Sequence, residues 1–113
     1  MRLVTFAAMA AALGSVGPLQ AQTVDQDVKC LMVSNIFSQT EKDEGKRRVA
    51  TTAALFYLGR VDARVAGPQL RAAMEAQAKT INPASAGPTM TECARTMQGK
   101  MAALQAMSKP AAK

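Results

Sequence analysis

Apolar residues recur at helical spacing along most of this chain, and short polar or glycine-proline stretches divide them into segments. Val24, Val28, Leu31, Met32 and Ile36 share one side of a helix predicted over about Val24 to Gln39. Cys30, Val33 and Phe37 fall on another side, so this helix is predicted to be covered on two sides. Thr23 and Gln26 have the spacing of a capping box at its start. Glu41 to Lys46 is polar and reads as a turn. A second helix follows from about Gly45 to Ala66, with a stripe of Ala50, Ala54, Tyr57, Leu58, Val61 and Val65. Val49, Ala53, Phe56 and Ala63 form a weaker strip beside it, interrupted by Arg60 and Arg64. Gly59 sits mid-helix, where glycine is unfavourable by about 1 kcal/mol relative to alanine and often permits a close backbone approach.

Gly67-Pro68 stops the second helix, with Gly67 suited to a left-handed cap, and Pro68 suits the first turn of a third. Leu70, Ala73, Met74, Ala78 and Ile81 face one way on this helix, and Arg71, Glu75 and Lys79 the other. Asn82-Pro83 ends it, and Pro83 to Pro88 reads as a loop. Thr89 and Glu92 offer a capping box for a fourth helix over about Met90 to Met107. Met90, Cys93, Ala94, Met97, Met101 and Leu104 make its apolar face, and a loose tail is expected over 108–113. No stretch alternates with period two. The predicted fold is all-α: a small antiparallel four-helix bundle.

The first 21 residues have a different character. Arg2 precedes an apolar run from Leu3 to Val16, Gly14, Gly17 and Pro18 break it, and Leu19-Gln20-Ala21 offers a cleavage site after Ala21. This order of zones is that of a secretory signal peptide over 1–21, which leaves one helical domain over 22–113. The interruptions make the apolar part short for a membrane span, so the processed chain is expected not to be membrane-embedded. Localisation is then periplasmic or secreted. In an oxidising compartment the two cysteines, Cys30 and Cys93, read as one disulfide between the first and last helices. Chain entropy alone gives such a closure about 4 kcal/mol.

Charge and candidate chemistry narrow the function classes. The formal net charge is +6, and Arg2 leaves with the signal. The charges are scattered, the one basic run, Lys46-Arg47-Arg48, follows acidic residues, and aromatic residues are few, so no nucleic-acid partner is expected. There is no histidine, which removes the usual general base and the commonest metal ligand. The acidic residues sit mostly at predicted helix ends or polar faces, so no enzyme, catalytic residue or cofactor is assigned. Met90, Met97 and Met101 could offer soft thioether ligands to Cu(I), but their positions coincide with the core stripe, so no metal site is assigned. The better lead is Val49, Ala53, Phe56, Arg60 and Arg64 as an interface for a partner or a second copy, since arginine beside an aromatic is common in interface anchors. The same strip could instead be covered within the monomer.

The run Phe56 to Arg64 (FYLGRVDAR), followed by Gly87 to Cys93 (GPTMTEC), resembles small exported helical proteins of alphaproteobacteria that have no assigned activity. More loosely, a short exported helical domain with one disulfide resembles the HdeA-type periplasmic acid-stress chaperones in architecture, with a cysteine spacing that departs from theirs. These readings point to an exported binding or accessory protein of the envelope, acting on an unidentified envelope protein or by self-association. The alternatives are a chaperone-like holdase of acid or envelope stress, triggered through carboxylates below about pH 5, and Cu(I) binding through methionines.

Overall fold

The computed structural model describes residues 22–109, and the signal-peptide reading of 1–21 lies outside them, as does the end of the tail. Four helices make up the fold: α1 (Val24–Thr40), α2 (Glu44–Asp62), α3 (Gly67–Ala78) and α4 (Pro83–Ser108). It is a small all-α four-helix bundle tied by the Cys30–Cys93 disulfide, with a Cα–Cα distance of 5.5 Å.

The start of α1 follows its sequence. Thr23 Oγ1 accepts from the Gln26 N–H at 3.1 Å, and Gln26 Oε1 accepts from the Thr23 N–H at 2.9 Å. Asp43 caps α2 by accepting from the Lys46 N–H at 2.9 Å. These two helices form the main packed pair of the fold and run antiparallel, since Asp27 near the start of α1 meets Arg60 and Arg64 near the end of α2. Helix α1 touches all three others, which is why it is buried over such a wide arc. Val28, Cys30 and Val33 are buried there together with the polar Asp27 and Ser34, while Ile36 stays 44 % exposed.

Helix α2 departs from its predicted stripe. Its buried residues are Ala50, Ala53, Tyr57 and Val61, at steps of three and four. They are drawn from both predicted strips, because α1 and α4 cover the ground between them; Leu58, assigned to the stripe, is exposed. The helix also stops at Asp62 rather than Ala66. The Arg64 N–H turns back to the Val61 carbonyl at 2.9 Å, closing a tighter final turn. Gly67 is the first residue of α3 rather than a left-handed cap. Nothing lies within 4 Å of the position a Cβ would take on Gly59, so that glycine does not serve a close approach. Helix α3 lies on α1 and fully buries none of its residues.

Helix α4 starts earlier than its sequence predicts. Pro83 to Pro88, expected as a loop, is its first part. Asn82 Oδ1 accepts from the Ser85 N–H at 3.0 Å and Ser85 Oγ accepts from the Asn82 N–H at 3.2 Å, so the cap lies at Asn82 and not at Thr89. Pro83 then occupies a first-turn position where its missing N–H costs nothing. Pro88 lies inside the helix and removes one hydrogen bond, from the carbonyl of Ala84. Both residues are exposed, so water can serve that carbonyl. The apolar face of α4 is covered only over its first part. Cys93 and Met97 are buried, whereas every residue from Gln98 to Lys109 is exposed.

Candidate functional site

Three features could bear function, and each grows from the helix pairing. The first is the junction of α1, α2 and α4. Cys30, Ala53, Tyr57, Cys93 and Met97 form one buried cluster, with Leu31, Val49, Phe56 and Met90 packed against it. The Tyr57 hydroxyl donates to the Cys93 carbonyl at 2.7 Å. Burial pushes the Tyr57 phenol above its ordinary value, and partial offsets come from hydrogen bonding to Gln22 and Thr96 and from the charge of Arg60.

The second feature is an ion-pair cluster between the start of α1 and the end of α2. Asp27 is fully buried, and its Oδ2 accepts from Arg60 Nε at 3.1 Å and from Nη2 of Arg64. Arg64 Nε also donates to the Arg60 carbonyl at 3.0 Å. The Arg60 guanidinium lies 5.7 Å from the centroid of the Phe56 ring, a cation–π distance. Phe56 in turn meets Tyr57 edge to face, with centroids 4.8 Å apart. Asp27 Oδ1 and Ser34 Oγ are buried without a protein hydrogen-bond partner.

The predicted interface residues are therefore distributed in depth. Ala53 is fully buried, Val49 and Phe56 are half-buried against the core cluster, and Arg60 and Arg64 are engaged with Asp27. Asp27 lies at the start of α1, where an acidic residue is ordinary, so its position alone does not mark it. The signal for it was on α2: two arginines one turn apart inside an apolar strip need an anion opposite them.

The three methionines considered for Cu(I) differ in depth. Met97 belongs to the core cluster, Met90 lies half-buried at its edge, and Met101 is 48 % exposed. Among the described residues no group of three or more histidine, cysteine, aspartate or glutamate side chains could hold a metal ion.

The third feature is a groove of about 500 Å³ where the end of α1, the start of α2 and α4 meet. Phe37, Val49 and Met90 supply apolar wall, and Glu41, Lys46 and Arg95 supply charge of both signs. Arg95 is already paired with Glu92 at 2.7 Å. Among the described residues, no helix is long and apolar enough to cross a membrane. Comparison with protein families, with curated proteins and with solved structures yields no match to this chain.

Proposed function

We propose that the chain is an exported, disulfide-tied binding or accessory protein of the cell envelope that acts by protein–protein interaction. The observation that carries this reading is a pair of leucines on the outward side of α2. Leu55 is 66 % exposed and Leu58 is 45 % exposed, three residues apart and so on one helix face. A single exposed leucine is ordinary, whereas two adjoining on one helix face form an exposed apolar patch, the kind of surface that marks interaction sites. The core residues of α2 lie on the opposite side, so this face can be occupied without disturbing the junction with α1 and α4.

The test is capture from periplasmic extract with the oxidised protein, followed by reconstitution with the purified partner. Leu55→Glu should abolish the reconstituted complex, and Phe56→Ala should leave it intact. Loss with Phe56→Ala but not with Leu55→Glu would move the interface to the Val49, Ala53, Phe56, Arg60 and Arg64 strip. Absence of any reconstituted complex would count against a protein-binding role.

A second reading, a holdase released by acid, is favoured by Asp27. Protonating this buried carboxylate would remove the charge that engages both Arg60 and Arg64, at the point where α1 and α2 are strapped together. Client aggregation should then be suppressed in acid and not at neutral pH. A variant Asp27→Asn should suppress it at neutral pH as well, and an Asp27→Asn protein with no such activity would sink this mechanism.

A further inference from the structure

The distal part of α4 has an apolar side that no other described element covers. Met101, Leu104 and Met107 are 48, 53 and 77 % exposed. They continue the stripe that contains the buried Met97, so this face leads outward from the core. The exposed stretch from Gln98 to Lys109 also carries Lys100 and Lys109 and no acidic residue; Glu92 is the last carboxylate side chain in the sequence. A helix with exposed thioether and leucine side chains and only positive charge matches a surface that is apolar beneath and anionic above.

We propose that this arm docks on an anionic phospholipid bilayer surface. It would lie in the plane of the interface, with Met101, Leu104 and Met107 below the phosphates and the lysines among them. The placement of Lys100 decides between lipid and other occupants. It precedes Leu104 by four positions and Met107 by seven, so it belongs to the apolar face itself. In the groove of a partner protein its ammonium would be buried, at a large desolvation penalty. At a bilayer surface its stem can lie along the apolar side while the ammonium reaches the phosphates.

A second copy of the chain fits less well. Antiparallel pairing of two arms about Leu104 and Gln105 sets Lys100 opposite Lys109 of the copy, and parallel pairing sets each lysine beside its counterpart. This mode of binding is independent of the protein-binding reading, which rests on the Leu55 face of α2.

The test is co-sedimentation of the oxidised, export-processed protein with vesicles of phosphatidylglycerol mixed with phosphatidylcholine, and with vesicles of phosphatidylcholine alone. Binding is expected to the first and not to the second. It should be lost between 0.1 M and 1 M salt, as the Debye length falls from about 10 Å to about 3 Å. Lys100→Gln and Lys109→Gln should each weaken binding about five-fold. The paired change Met101→Ser with Leu104→Ser should abolish it. These positions are exposed, so helical circular dichroism and the disulfide should be unchanged in every variant. Equal binding to both vesicle types, no binding to either, or wild-type binding by the serine variant would overturn the proposal. So would a dimer dispersed by the serine variant in a protein that ignores vesicles, which would assign the arm to a second copy.

Discussion

The Tyr57 hydroxyl donates a hydrogen bond of 2.7 Å to the Cys93 carbonyl, so the half-cystine that ties α4 to α1 is also held by α2. Three helices meet at this pair, and Tyr57 is the largest fully buried side chain. Tyr57→Phe keeps the ring and removes only the donor. It should destabilise the protein by about 0.5–1.5 kcal/mol, the net worth of one buried hydrogen bond. Urea denaturation should show a lower midpoint with an unchanged slope.

The same residue predicts an alkaline limit to stability. Burial raises the folded-state value of the Tyr57 phenol above the ordinary 10.0. Below that ordinary value both states hold the proton, and the contribution to stability is complete. Above it the unfolded chain releases the proton first and binds fewer protons than the folded one, so stability falls as pH rises through the folded-state value. Tyr57 is the only tyrosine, so phenolate absorbance reports it alone. Tyr57→Phe supplies the subtraction: the part of the alkaline decline that it abolishes belongs to Tyr57. Identical pH profiles for the two proteins would refute the assignment.

Asp27 predicts a sharper loss. Asp27→Asn preserves shape but leaves Arg60 and Arg64 facing a neutral group. Breaking a fully buried pair costs about 3–5 kcal/mol. Here the arginine side chains keep 26 and 34 % of their exposure, so water recovers part of that, and about 2 kcal/mol is expected. Arg64→Gln should cost less, since Arg60 still engages the carboxylate. Thermal or urea unfolding of the single and double variants gives the coupling, and additive effects would show that the two residues do not act on one another.

Removing the bridge tests how α4 is held. Replacing Cys30 and Cys93 together by alanine should cost about 2–5 kcal/mol. The remaining ties of α4 to the bundle include Met90, Met97 and the Tyr57 hydrogen bond. Amide exchange should therefore accelerate in α4 well before it does in α1 and α2, which pack mainly on each other. Uniform acceleration across all four helices would mean that the fold opens as one unit.

What could be read from the chain follows the range of the signals. The α1 capping box and the helix count rest on local residue types, the cysteine pair rests on there being only two cysteines, and all three match the structure. The start of α4 was misplaced because Gly87-Pro88 reads as a break. A proline inside a helix removes one bond, however, and Asn82, Pro83 and Ser85 had already supplied a start. The buried side of α2 lay between the two predicted strips, since periodicity locates apolar residues but not which neighbours cover them. The Asp27 cluster depends on residues more than thirty positions apart, and the exposed end of α4 depends on where its neighbours stop. Neither quantity is contained in a local window.

Two backbone positions carry the last prediction. Gly59 is exposed, lies inside α2, and has open space where a Cβ would sit. Gly59→Ala should therefore stabilise the protein by about 0.5–1 kcal/mol through the lower freedom of the unfolded chain. Pro88 is also exposed and breaks the hydrogen-bond ladder of α4. Pro88→Ala restores a donor to the Ala84 carbonyl and should add about 1–3 kcal/mol, less what proline's rigidity had removed from the unfolded state. The two sites lie on different helices, so their effects should add. Thermal unfolding of the oxidised double variant would then show the sum of the two single shifts. A double variant no more stable than the better single one would mean that α2 and α4 are strained against each other at the Tyr57 junction, and that relaxing one helix misplaces the other.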